Sequence, residues 1–239
     1  MNKNINDAFI FVGIFLAIFI FSGIFLSPNL QHADAAIESS SSFVSSSSFV
    51  YEMSSIAVVE PVAAVDSVEI GTNIIKGVRR SINADHAKNL ARILYQESNS
   101  TINYPFLLAV VAVESRFNVD AISPAGATGL GQLMPATAQS VAKKNGIEFQ
   151  RSRLADPLYN IKLTVKFLER LSKRFDNDIK LIAAAYNGGP GGAHKYKKWL
   201  DGEAERDSIH KETFAYVSKV IEKYYAYSSL LQSEATCGH

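Results

Sequence analysis

The segment from Tyr104 to Phe117 carries Phe106, Leu107, Leu108, Val110, Val111 and Val113 and is apolar on nearly every side. A helix that is apolar all round is a buried one, so this element belongs in the middle of whatever the chain builds. The periodicity around it is helical too. Asn83 or Asp85 can cap a helix that puts Ala87, Leu90, Ala91 and Leu94 on one face. Ile161, Val165, Leu168, Leu171 and Phe175 recur at spacings of three and four. A short helix over Ile179–Tyr186 should end at Asn187-Gly188-Gly189-Pro190, where glycine can turn left-handed and proline blocks continuation. Phe214, Val217, Ile221 and Tyr224 line a last helix. No alternating strand pattern of convincing length accompanies them. The expectation is an all-α single domain.

That domain does not fill the 239 residues. Ala8 to Leu26 is an unbroken apolar or small-residue run of 19, with Lys3 ahead of it and acidic residues after it. It is long enough to span a hydrocarbon core, and Ala33-Asp34-Ala35 offers a small-x-small cleavage pattern. Residues 1–35 therefore read as a signal peptide or a retained membrane anchor, and either one exports the rest of the chain. No cysteine near the run suggests a lipid anchor. The only cysteine, Cys237, can make no disulfide within the chain. SSSSFV occurs twice over residues 39–50, a composition with little to bury. Residues 36–70 are read as a flexible Ser-rich linker, 71–232 as the folded domain and 233–239 as a tail. Of 24 basic and 23 acidic residues, residues 1–70 hold one and seven, which leaves residues 71–239 with 23 and 16, a net of +7. A cationic domain points to an anionic partner, a nucleic acid or a carboxylate-rich polymer.

Glu114 sits near the end of the most apolar helix. Burying a carboxylate is costly unless it is paired, as Arg116 could do, or stays protonated. A carboxyl protonated at neutral pH is what a glycosidase needs to donate a proton to a leaving oxygen. The helix alone does not choose between these. Downstream, the run Ser123 to Ala138 places glycines at 126, 129 and 131 in a tight loop that a ligand can approach. It lacks the Gly-Lys-Ser/Thr ending of a phosphate loop. Gln132 adds an amide suited to an N-acetyl group. His194 and His210 have no partners at metal-ligand spacing, so neither metal nor cofactor is expected. Tyr196, Trp199, Tyr216, Tyr224, Tyr225 and Tyr227 stand at helical spacing that suits a core better than sugar stacking.

From about residue 85 to 227 the chain resembles the catalytic domain of the soluble lytic transglycosylases, lysozyme-like and related in fold to goose-type lysozyme. The resemblance is carried by Ala109 to Asn118, with Glu114-Ser115-Arg116-Phe117 at its end; by Ser123 to Ala138; by Asp156-Pro157 with Asn160-Ile161; by Ala183 to Gly191 around Tyr186-Asn187; and by Glu212 to Val217. Three positions depart from the pattern. Many members have Met at the place of Gly131, Gly at that of Thr164, and Arg at that of Phe214.

The resemblance implies an enzyme that cleaves the MurNAc-β-1,4-GlcNAc bond of peptidoglycan and leaves a 1,6-anhydromuramyl end. Glu114 would act as general acid and then as base. Ser115 would orient Glu114 or the sugar, Gln132 would hold an N-acetyl group, and Asn187 would bind substrate. Tyr186 would hydrogen-bond near the acid, with Tyr216 a further candidate for the site, and Glu212 would hold the site together by hydrogen bonds. No second acid stands in a comparably apolar setting, and Asp120 is expected to be solvated. A muramidase that uses water, or a non-catalytic wall-binding module, are the alternatives. The partner implied is the peptidoglycan glycan strand and not nucleic acid. The membrane, through the N-terminal segment, and a secretion or conjugation apparatus are further candidates. The location implied is the periplasm or cell envelope.

Overall fold

The computed structural model describes residues 62–235, with side chains over 66–233. The apolar run at 8–26, the Ser-rich repeat and Cys237 lie outside the described residues. Among the described residues seven α-helices succeed one another: α1 Val62–Val78, α2 Ala84–Glu97, α3 Tyr104–Glu114, α4 Pro135–Lys144, α5 Pro157–Arg174, α6 Ile179–Leu200 and α7 Lys211–Ala235. Short 3-10 turns occupy Arg151–Ala155 and Arg206–Ser208. Among the described residues the only β pairing is two isolated bridges, Ile122 with Thr128 and Thr128 with Leu133. No helix there is long and apolar enough to cross a membrane.

Local sequence sets the helix starts. Asn83 accepts from the amides of Asp85 and His86, Asn103 from Phe106, Asp156 from Tyr159, and Asp178 from Lys180 and Leu181. Each satisfies amides that have no partner inside the helix. Proline at the start of α3, α4 and α5 uses a position where no amide hydrogen bond is lost.

The central helix is α3. Phe106, Leu107, Leu108, Val110 and Val111 are fully enclosed, each removal from water contributing roughly 1.5–3 kcal/mol before entropy is subtracted. It packs against α7, with α1, α2, α5 and α6 completing the enclosure. A smaller apolar cluster of Leu133, Ala138, Val141, Ala142, Leu154, Tyr159 and Leu163 supports α4 and the loop before it. Phe167 and Tyr186 pack against both clusters.

Two boundaries differ from the sequence reading. Residues 62–70 are not linker but the first turns of α1. Val68, Thr72, Ile74 and Ile75 of that helix are buried in the main core. At Gly71 a Cβ would overlap the Tyr104 hydroxyl, so α1 crosses the start of α3 at close range. At the other end, the tail expected from 233 begins inside α7, which runs to Ala235. The stop expected after Tyr186 is a break rather than an end. Helix α6 leaves helical geometry at Gly189, φ 66°, and resumes from Pro190 to Leu200.

Candidate active site

Helix α3 ends at Glu114 for a visible reason. Ser115 still donates its amide to the Val111 carbonyl at 3.1 Å, but Arg116 and Phe117 both adopt left-handed backbone, φ 52° and 60°. The chain turns sharply and leaves Glu114 as the last residue of the helix. Across the core, α7 brings up Tyr216, whose hydroxyl donates to Glu114 Oε1 at 2.7 Å. Burial pushes the Glu114 carboxyl up to about 7. The Tyr216 hydrogen bond opposes that shift, and the negative charge of Glu212 adds to it. A group with that pKa is substantially protonated at neutral pH and can also carry the charge when it must.

Tyr186 reaches the same site from α6. Its hydroxyl donates to the Gly131 carbonyl at 2.6 Å. Burial, and then the charge of Glu114, raise its pKa well above the ordinary tyrosine value, so it remains a neutral donor. The Tyr216 phenol is raised for the same two reasons in the same order.

The glycine loop is pinned from beneath by Asn160, a fully buried residue of α5. Asn160 Oδ1 accepts from the Gly131 amide at 2.8 Å. Its Nδ2 donates to the carbonyls of Thr128, at 3.0 Å, and Leu154, at 2.8 Å. Gly129, at φ 79°, lies so close that a Cβ would overlap Asn160 and the Leu154 carbonyl. Gln132, itself left-handed at φ 47°, spends its amide nitrogen on the Ala121 and Gly129 carbonyls, both at 2.9 Å. What Gln132 retains for a ligand is an acceptor.

The remaining candidates take their places with changes. The Ser115 hydroxyl, expected to orient Glu114 or the sugar, donates back to the Val111 carbonyl at 3.3 Å and makes no hydrogen bond to Glu114. The side chain that hydrogen-bonds the Glu114 carboxyl is Tyr216. Asn187 is exposed, with Oδ1 held by the Thr213 hydroxyl at 2.9 Å. Glu212 is exposed on the first turn of α7 and makes no hydrogen bond among the described residues, so it acts on Glu114 by charge. Asp120 is exposed. Phe214, where an arginine was the alternative, packs on Trp199 at 5.2 Å, and the Arg206 guanidinium lies 4.4 Å over its ring. The buried staples Asn160 and Thr213 escaped the sequence reading as site residues. The signal available for both was a polar residue in an apolar helical stripe, which lone-residue reading assigns to the core.

Residues 91–209 match the family model described as the transglycosylase SLT domain. These residues form a domain of that family. A putative soluble lytic murein transglycosylase of Haemophilus influenzae is 35% identical over 145 residues, 57% of this chain and 24% of the relative. The soluble lytic murein transglycosylase of Escherichia coli K12 is 32% identical over 161 residues, 60% of this chain and 24% of the relative. Among solved structures, the 70-kDa soluble lytic transglycosylase of Escherichia coli superposes with a TM-score of 0.51 at 29% identity, covering 69% of this chain and 29% of that one. An inactive mutant of the lytic transglycosylase Slt from Pseudomonas aeruginosa gives 0.52 at 27% identity, covering 71% and 30%. The chain spans about a quarter of the curated relatives' length. The SLT match begins inside α2 and stops short of α7, so α1 and α7, which carries Tyr216, flank the matched segment.

Proposed function

We propose that the chain is an extracytoplasmic lytic transglycosylase that cleaves the MurNAc-β-1,4-GlcNAc bond of peptidoglycan with Glu114 as its single acid and base. The observation that carries this is the Glu114 carboxyl, part-buried at a helix end, raised to about 7 and hydrogen-bonded by Tyr216. The SLT domain and relatives named murein transglycosylases support the substrate. A membrane-bound lytic murein transglycosylase D of Escherichia coli, 30% identical over 142 residues, is consistent with either a free or an anchored form.

In the first step protonated Glu114 gives its proton to the glycosidic oxygen as the C1–O bond breaks, and N-acetylglucosamine leaves with a free hydroxyl. Positive charge develops at C1 of the muramyl sugar. Its own acetamido oxygen can stabilise that charge, since no second carboxylate stands ready. The Glu114 carboxylate then takes the proton from the muramyl 6-hydroxyl while O6 bonds to C1. The ring closes as a 1,6-anhydro sugar and Glu114 is again protonated. Tyr216 donates to the carboxyl throughout, most strongly when Glu114 is charged. Gln132 would accept from an acetamido N–H through its free carbonyl oxygen. Asn187 and Ser115 would meet neighbouring hydroxyls, and Tyr186 fixes the loop on which Gln132 stands.

If wall glycan is digested as fast by Glu114→Gln protein as by the parent chain, this assignment fails. If water replaces the 6-hydroxyl, reducing muramyl ends appear instead and the muramidase reading takes over.

A further inference from the structure

Helix α5 places two fully buried polar residues beneath the glycine loop, Asn160 and Thr164, one helical turn apart on the same face. Asn160 is fully engaged, accepting from the Gly131 amide and donating to the Thr128 and Leu154 carbonyls. The Thr164 hydroxyl is enclosed and has no well-formed hydrogen bond. Enclosing a hydroxyl in that state costs about 1–3 kcal/mol, and valine would fill the same space without the cost. Threonine at this position, where many SLT domains have glycine, therefore has a role that packing does not supply.

Its surroundings name the partner. A Cβ at Gly131 would overlap Thr164 Oγ1, so the hydroxyl stands directly against the Gly131 backbone. Gly131 is not left-handed, so glycine is there for room and not for a turn. Its carbonyl accepts from the Tyr186 phenol at 2.6 Å. That bond uses the only phenol proton and leaves the Tyr186 oxygen able to accept. An unpaired donor and a free acceptor thus meet over one peptide. Burial and then the Glu114 charge raise the Tyr186 pKa; the Thr164 hydroxyl opposes them, as a donor to the phenol oxygen must.

Resting on the proposed function, we propose that Thr164 is a positioning residue: its hydroxyl donates to the Tyr186 phenol and, through the Gly131 carbonyl, holds Gln132 in place to receive an acetamido group. The peptide that bears this carbonyl is the one that leads into Gln132. Gln132 is left-handed at φ 47°, a state that costs of order 1–3 kcal/mol in a non-glycine residue and persists only with outside support. A hydroxyl that accepts a hydrogen bond is a stronger donor, so Thr164 tightens the bond from Tyr186 to Gly131. Rotation of that peptide would carry Gln132 Nε2 off the Ala121 and Gly129 carbonyls and turn its acceptor oxygen away. Thr164 is fully buried and touches no sugar. It acts on the selection of N-acetylated strands through Tyr186 and Gly131.

The test uses the full chain on a Glu114→Gln background, so that it needs no cleavage, and two variants that separate hydroxyl from volume. Thr164→Val keeps the shape and loses the donor, whereas Thr164→Ser keeps the donor and loses a methyl. One readout is the carbon-13 signal of the Tyr186 ring carbon that bears the hydroxyl, assigned by its loss in Tyr186→Phe. It should move in the valine variant and hold in the serine variant. The other readout is equilibrium binding of soluble glycan strands and of the same strands after N-deacetylation. The valine variant should bind acetylated strands about fivefold more weakly than its parent, and the serine variant within about twofold of it, as expected for one hydrogen bond. On deacetylated strands all three should agree. A phenol signal that ignores the valine change overturns the inference. So does a valine variant that matches its parent on acetylated strands, or one that loses equally on both kinds. An equal loss in the serine and valine variants assigns the effect to packing and overturns it as well. A parent that binds neither kind of strand sinks the proposed function, and the phenol signal alone then decides the Thr164 bond.

Discussion

The Tyr216 hydroxyl sits 2.7 Å from Glu114 Oε1, joining two residues 102 positions apart in the chain. That bond and the nearby charge of Glu212 pull the Glu114 proton in opposite directions. The bond favours the carboxylate, and the charge favours the acid.

Tyr216→Phe should therefore raise the Glu114 pKa above its value of about 7, and Glu212→Gln should lower it. The general acid works only while protonated, so activity falls as pH rises through that pKa. The alkaline limb of kcat/KM against pH should move up for Tyr216→Phe and down for Glu212→Gln. The tyrosine variant should also lose about tenfold or more in kcat, since general acid–base placement contributes roughly that range and above. Limbs moving together would break the electrostatic account.

Stability should carry the same signature. A carboxyl near 4.5 when unfolded and about 7 when folded binds its proton more tightly in the native state. The benefit is fully present below about 4.5. It is lost as pH rises through about 7, a change of roughly 3 kcal/mol by the proton-linkage relation. Glu114→Gln has no such proton to lose. Urea midpoints of the two proteins should diverge between pH 5 and 8, with the glutamine variant the more stable at the upper end. A constant gap across that window contradicts the raised carboxyl.

Much of this arrangement was legible beforehand, and the reasons are specific. The all-apolar run at 104–117 placed a buried helix at the centre, and Asn83 marked a helix start that the structure keeps, whereas Gly188-Gly189-Pro190, read as a helix end, only interrupts α6. Glu114 was visible because a charge at the end of such a run demands an explanation. Helix α1 was not, since Val68, Thr72 and Ile75 come after a low-complexity stretch that masks their spacing. Helix α4 was hidden in a loop motif whose glycines drew the eye from Ala138, Val141 and Ala142. The exchange of partners at Ser115 and Gln132 depends on backbone turned left-handed at 116, 117 and 132, which composition does not announce.

Asn160→Ala should loosen the glycine loop. It strips hydrogen bonds from the Gly131 amide and from the Thr128 and Leu154 carbonyls. Leaving such buried groups unpaired costs about 1–3 kcal/mol apiece, so a fall of at least about 2 kcal/mol is expected in chemical denaturation. KM should rise along with it, because Gln132 rides on that loop. A variant as stable as the parent would mean that water replaces the asparagine at no cost.

Two departures from the family pattern are coupled in space. A Cβ at Gly131 would overlap the Thr164 side chain, so the small residue in the loop and the larger one in α5 form a matched pair. Gly131→Ala alone should cost roughly 1–3 kcal/mol through overpacking. Adding Thr164→Gly should recover part of that loss in a double-mutant cycle. Strict additivity of the two changes would show that the positions do not touch.

The central claim is that Glu114 gives and then takes one proton, with the muramyl 6-hydroxyl as nucleophile. Mass spectrometry of wall glycan digested by the full chain tests it most directly, with Glu114→Gln as the parallel digest. The account predicts muramyl ends one water lighter than hydrolytic ends from the parent chain, and no released fragments from the variant. Reducing muramyl ends, or the same products from both proteins, would contradict it.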